Sequence, residues 1–461
     1  MASESAAAIA LQVVRRAGWW GTVVTAAAVA VPTAAFLASR VLRSSGGERW
    51  GDVETTTADL LPMDKIMLKH SIATVTFFEG DVDVAEAEIG RNCAALLRLN
   101  PWLCGRSRLS GGWKGSLTWP TKVDSFAPPP EDVFVRRDIE GLHRNTDFAD
   151  LFRLLGDRIT PPGPTDRNWM VTLVPDSESP TKRFCVVTCI NHGVGDGHTY
   201  YKCHNMVLGA TDPEPLVCER NREAAMKAEN MCPTRKEIYF TAPVILGLMF
   251  RKLYGRVTGY EPAVRTFEVD AEWLAREKER ALKSDPQVKF VSSNDCVTSW
   301  FLRQCSTCSQ TSGDMPVLGM MAVNFRGRIE GSRNDVLAGN YESTVYYLRG
   351  DFESPGLIRR SLATMRRCGN QTGLGSFSTR VRTPWSLISN WTSFCLPPKL
   401  RGCRELLHRP LVNPEELLPG DALGVVFRPY GNKVALQVTG PRELLDHIEA
   451  EASGMRGPPI E

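Results

Sequence analysis

The residues best able to do chemistry lie together at Asn191-His192-Gly193-Val194-Gly195-Asp196-Gly197-His198. An imidazole at His192 can act as a general base near neutral pH. Asp196 can fix the loop through a salt bridge and so set how that imidazole is presented. Gly193, Gly195 and Gly197 disfavour a helix and fit a tight loop whose backbone comes close to another surface. The H-x-x-x-D spacing is not specific by itself, because His143 and Asp147 repeat it in a polar stretch with no strand before it. His192 instead follows the apolar, β-branched run RFCVVTCI at 183–190, which reads as a buried strand. Two other readings use the same residues. One is a structural histidine. The other is a metal site of His192, Asp196 and His198, which lacks the helix or strand spacing usual for ligands. A serine or cysteine nucleophile is disfavoured: there is no G-x-S-x-G elbow, and Cys189 lies inside the strand rather than at its tip.

The elements that must position this loop alternate between strand and helix. Ile89, Cys93, Leu96 and Leu97 share one helical face, and Asn100-Pro101 stops that helix. Proline-rich stretches at 127–130 and 160–164 mark loops. Residues 209–236 are polar and suit a crossing between two lobes. Beyond them, 266–269 reads as a strand, Asp270 as the cap of a helix carrying Trp273 and Leu274, and Ser293 or Asn294 as the cap of a helix through Trp300. Residues 433–439 read as a strand, and Pro441 opens a final helix with Leu444, Leu445 and Ile448. The expected organisation is an N-terminal segment at 1–50, a first α/β lobe at 51–225, a crossover at 226–262 and a second α/β lobe at 263–461.

Composition narrows the class. The 461 residues carry 55 Lys+Arg against 52 Asp+Glu, a net charge of +3, so no broad electrostatic attraction for nucleic acid is expected. The thirteen cysteines are irregularly spaced, with one C-x-x-C at Cys305 and Cys308 that sits near the end of a helix. They read as free, mostly buried thiols in a reducing compartment.

Residues 17–39 form a 23-residue stretch without charge, flanked by Arg15, Arg16, Arg40 and Arg43, with Trp19 and Trp20 at one end. That length can cross a hydrocarbon layer of roughly 30 Å as a helix. The expectation is a single-pass membrane anchor in the endoplasmic reticulum or a plastid, of undecided orientation; a cleaved signal peptide and an organelle presequence are the competing readings. A second apolar run at 238–250 contains Pro243 and is too short to span. It reads first as buried core and second as an interfacial segment.

The H-x-x-x-D-G core after a buried strand resembles the coenzyme-A-dependent acyltransferase superfamily, which includes chloramphenicol acetyltransferase, plant BAHD acyltransferases, condensation domains and wax-ester synthases. Other segments are similar in the same order: LPMDKIML at 61–68, LNPWL at 99–103, SSNDCVTSW at 292–300, VNFRGR at 323–328 followed by Gly339-Asn340, and Ser389-Asn390-Trp391. This chain departs from the pattern at Asn191, where condensation domains carry a second histidine. It also departs at 420–424, where GDALG stands in place of the BAHD motif D-F-G-W-G.

The resemblance implies two chloramphenicol-acetyltransferase-like lobes, each a mixed sheet with flanking helices, around a central channel. It implies acyl transfer from acyl-CoA to a hydroxyl, less readily an amine, with His192 as general base and no acyl-enzyme. Asp196 would pair with Arg326 or Arg328, and Ser389 or Asn390 would meet the oxyanion. Acyl-CoA is then a co-substrate, with no cofactor and no metal. The acceptor is expected to be a small lipophilic molecule, and the chain a monomer. A condensation-type enzyme using a carrier-protein thioester and a non-catalytic binding relative are the alternatives.

Overall fold

In the computed structural model, the described residues are 53–110, 114–121, 133–159, 163–165, 167–231, 242–311, 317–328, 335–369, 376–451, 454, 455 and 457. The uncharged stretch at 17–39 lies outside them. The chain divides into one unit of Met1–Val53 with Leu109–Trp113 and another of Glu54–Arg108 with Lys114–Glu461; the second holds the 191–198 loop and every residue found around it.

The strands in chain order are β1 (Thr55–Asp59), β2 (Ser71–Glu79), β3 (Arg106–Ser110), β4 (Lys114–Pro120), β5 (Phe134–Arg136), β6 (Trp169–Pro175), β7 (Arg183–Asn191), β8 (Ala263–Glu268), β9 (Leu318–Asn324), β10 (Glu342–Tyr347), β11 (Trp385–Asn390), β12 (Arg404–Pro410), β13 (Ala422–Phe427) and β14 (Ala435–Gly440). The helices are α1 (Pro62–Met67), α2 (Val82–Leu99), α3 (Phe148–Leu155), α4 (Gly197–Val207), α5 (Arg222–Met231), α6 (Ala242–Thr258), α7 (Ala271–Ser284), α8 (Ser293–Thr311), α9 (Pro355–Thr364), α10 (Phe377–Arg382) and α11 (Arg442–Glu451).

β7 is buried from Phe184 to Asn191, which explains its near-continuous apolar run: both faces of the strand are covered. It lies third in a mixed five-stranded sheet of order β12-β2-β7-β6-β5. β2 and β6 flank it antiparallel, with Ser71 opposite Asn191 and Trp169 opposite Ile190. The edge strand β12 comes from the second half of the chain, so this sheet joins segments more than 300 residues apart (Arg404 opposite Glu79). A six-stranded sheet of order β10-β9-β11-β13-β14-β8 is also mixed, with β11 parallel to both neighbours. A third, small sheet has the order β1-β4-β3.

The apolar pattern places the helices. Ile89, Cys93, Leu96 and Leu97 of α2 are all buried, and Asp81 caps the helix through its side chain to the Val84 N–H, a bond worth about 1 kcal/mol. One core, from Phe267 to Met455, fills a face of the six-stranded sheet under α7, α8 and α11. A second packs α3 against β2 and β7. Asp270 caps α7 as its sequence predicts. α8 begins one residue earlier than expected: Ser292 and Asp295 bond each other's backbone N–H, which makes Ser292 the cap in place of Ser293 or Asn294.

Of the apolar run at 238–250, residues 242–250 are described, and most of them are not buried, though Val244 joins a core cluster with Leu318, Met320, Tyr346 and Leu348. From residue 242 it belongs to α6, of which only Val244 and Gly247 are buried. Ile245, Met249, Leu253, Tyr254 and Val257 are 39–66% exposed, five of the thirteen large exposed hydrophobics among the described residues. The helix is held by its other side. Gly247 packs on the Val381 carbonyl so closely that a Cβ would fall 2.0 Å from that oxygen. Arg251 pairs with the buried Asp421 at 2.9 Å and donates to the Thr383 carbonyl. No helix of the described residues is long and apolar enough to cross a membrane.

Candidate active site

His192 is the first residue past β7. Its backbone N–H donates to the His70 carbonyl, which ties the loop to the start of β2. Its Nδ1 lies 3.0 Å from Asn340 Oδ1, and Asn340 Nδ2 donates to the His192 carbonyl at 2.7 Å. An amide oxygen can only accept, so Nδ1 carries the proton and Nε2 keeps its lone pair. Burial, aided by the nearby His70, pulls the His192 pKa below the ordinary histidine value. The imidazole is therefore neutral at pH 7.

Asn340 is itself held. Its Nδ2 also reaches Asp64 Oδ1 at 2.9 Å, and Asp64 Oδ2 accepts from Arg220 Nε at 2.8 Å. Asp64 and Arg220 are both buried, and the guanidinium further donates to the carbonyls of Val194, Cys218 and Ala338. This network clamps the 191–198 loop.

Asp196 spends its carboxylate on Thr199, Arg326 and Tyr341 rather than on His192. One carboxylate oxygen accepts from the Thr199 N–H and hydroxyl and so caps α4; the other meets Arg326 Nη1 at 2.6 Å and the Tyr341 N–H at 3.0 Å. Burial opposes the charge on Asp196, yet the Arg326 guanidinium and the Thr199 N–H outweigh it and hold the carboxyl below its usual range. Arg326 is only 3% exposed and spends its remaining donors on Thr199 and on the carbonyls of Leu337 and Gly339. Of the two expected arginines, Arg326 makes the pair. Arg328 instead approaches the Leu362 carbonyl, at the second-half core.

The three loop glycines are not equivalent. A Cβ at Gly193 would lie 2.4 Å from Leu68 Cδ2 and 2.9 Å from the Asp64 carbonyl, and one at Gly195 would crowd Thr199 and Ile190. At Gly197 the nearest atom is Trp391 Nε1 at 3.5 Å, ordinary contact. Asn191 is buried and accepts from the Gly193 N–H. His198 does not join His192 and Asp196: its Nε2 meets the Asp335 carbonyl, so the three form no ligand set.

Glu342 is the functional candidate that the sequence reading missed. Its Oε1 lies 3.4 Å from His192 Nε2. Burial, with the charge of Asp196 adding to it, pushes its pKa up to about 8. The available signal was parity: Glu342 stands two residues after Asn340, and alternate residues of an extended chain share a face. Glu342 borders a cavity of about 30 Å³ together with His198, Ser389, Asn390 and Trp391, room for little more than one water. The Ser389 oxygen accepts from Trp391 Nε1, leaving its own proton to donate. Asn390 is occupied on both ends, donating to Asn294 and accepting from Thr392. A larger cavity of about 970 Å³, bordered by Arg144, Arg265, Arg409 and Arg442, lies between β8 and β12, and none of the predicted site residues lines it.

This arrangement recurs in solved proteins at the level of fold. Fusarium graminearum TRI101, solved with coenzyme A and deoxynivalenol, is similar with a TM-score of 0.57 and 13% identity over 86% of this chain and 97% of that one. The chain has the fold of TRI101. Polyketide synthase associated protein 5 from Mycobacterium tuberculosis (TM-score 0.54, 13% identity, 85% and 96% covered) has the same fold. So does the first condensation domain of the CDA synthetase (TM-score 0.51, 13% identity, 88% and 98% covered). No family profile matches the chain, and no curated protein matches it in sequence.

Proposed function

We propose that this protein is an acyl-CoA-dependent O-acyltransferase in which His192 is the general base. The observation that carries the reading is the arrangement of His192: Nδ1 bound to Asn340, Nε2 unprotonated beside Glu342, on an acyltransferase fold. Nε2 takes the proton of an acceptor hydroxyl as its oxygen attacks the thioester carbonyl carbon. The Ser389 hydroxyl donates to the oxyanion of the tetrahedral intermediate. When that intermediate collapses, the carbon–sulfur bond breaks and the thiolate leaves with the proton from Nε2. No acyl-enzyme is required, because holding both substrates at one imidazole supplies the proximity. Asp196 and Arg326 keep the loop in place and take no part in proton transfer.

The acceptor is a small lipophilic alcohol met at a membrane surface. The uncharged segment at 17–39 supports an anchor. The exposed apolar side of α6 supports a second contact, because the helix also carries exposed Lys252 and Arg256 and no acid. The likeness to a condensation domain favours one second reading, in which the donor is a carrier-protein thioester. Incubating the purified chain with lipid extract and either acyl-CoA or acyl-pantetheinylated carrier, with mass-spectrometric detection of esters, tests both. Ester from acyl-CoA supports the proposal, and ester from the carrier alone replaces it with the second reading.

A further inference from the structure

Beneath the catalytic loop, His204 of α4, His408 of β12 and Cys395 of the turn after β11 bring one ligand atom each to within 4.8 Å of the others. They come from three separate elements, and all three are at most 5% exposed. Each histidine is fixed by a threonine of the sheet. Thr188 Oγ1 lies 2.8 Å from His204 Nδ1, and Thr76 Oγ1 lies 2.8 Å from His408 Nδ1. The Nε2 atoms therefore remain for ligation, an arrangement that metal-binding histidines share.

His204 Nε2 is buried with no hydrogen-bond partner, an expensive state for a polar atom in the interior. His408 Nε2 meets only the Tyr201 hydroxyl, at 3.0 Å. Cys395 is held in place from both sides, since Asn205 of α4 donates to the Phe394 carbonyl and accepts from the Leu396 N–H. Its thiol makes only a long contact, 4.0 Å, to the Leu396 carbonyl.

We infer that His204, Cys395 and His408 form a structural zinc site. Two imidazole nitrogens and one thiolate are a donor set of the borderline softness that zinc favours. On binding, the Cys395 thiol loses its proton to solvent and the thiolate takes the metal. The Tyr201 hydroxyl gives up its bond to His408 Nε2 as that lone pair turns to the ion. The site would pin α4, which Asp196 caps, to β12 and to the turn that follows Asn390. It stands apart from the reacting atoms, so its test does not depend on turnover.

The test is zinc content of the untagged full chain after dialysis against a weak chelator, measured by mass spectrometry of the metal. About one zinc per chain is expected, falling at least tenfold in Cys395→Ser and in His204→Gln. Cobalt substitution of the wild type gives a readout that needs no variant: a thiolate-to-cobalt charge-transfer band. Zinc well below one per chain, from protein with native near-ultraviolet circular dichroism and no cobalt–thiolate band, overturns the inference. Full zinc content retained in both variants overturns it equally.

Discussion

Asn340 grips His192 at both ends, with its amide oxygen 3.0 Å from Nδ1 and its amide nitrogen 2.7 Å from the backbone carbonyl. One side chain thus sets both the tautomer and the position of the loop. Asn340→Ala is expected to lower kcat about 10–100-fold, the loss of one bond to a group that becomes charged, about 1.5–3 kcal/mol. KM should change little. Steady-state kinetics across pH 5–9 checks this, and the variant's acid limb should shift from that of the wild type, a change that general destabilisation would not cause.

Glu342 places a proton beside Nε2. With its pKa raised to about 8 from a usual 4.5, the folded chain holds a proton between those values that the unfolded chain has released. Stability from this group is therefore full below pH 4.5 and is lost as pH rises through 8. Glu405 and Asp421, each raised to about 7 by burial, slope the same way. His192, lowered by burial, slopes the other way, losing stability as pH falls below its unfolded value. The difference between wild type and Glu342→Gln isolates Glu342: denaturant midpoints should decline less steeply from pH 5.5 to 8.5 in the variant.

Asp196 and Arg326 form a buried pair at 2.6 Å. Removing one partner strands the other charge, so Asp196→Ala should destabilise by about 3–5 kcal/mol. Urea unfolding measures it, and activity should fall along with stability. His192→Ala should leave the urea midpoint nearly unchanged, which separates the residue that positions from the one that reacts.

The loop glycines give an internal contrast. Gly193→Ala drives a methyl into Leu68 and the Asp64 carbonyl and should impair folding, whereas Gly197→Ala meets nothing closer than 3.5 Å and should fold normally. Thermal denaturation of the two variants checks the pair.

Local pattern makes part of the site legible in the amino-acid sequence alone. β7 reads directly from its apolar run, and the loop glycines, His192 and Asp196 follow from it, because those features are contiguous. The partners that complete the site are not contiguous: Asp64 reaches Asn340 across 276 residues, Arg220 reaches Asp64 across 156, and Glu342 reaches His192 across 150, only once the sheets have formed. β12 crossing into the first sheet left no signal either, since an edge strand looks alike in either sheet. Within the run at 238–250, Val244 is buried as expected, but Ile245 and Met249 are exposed: apolar residues predict burial only when a partner covers them, and α6 turns that side outward.

The most direct measurement is acceptor-dependent release of free CoA thiol from acyl-CoA by the purified chain and by its His192→Ala variant. The account predicts release by the wild type and a loss of about 10²–10⁴-fold in the variant at unchanged stability. Full activity in folded His192→Ala would contradict it.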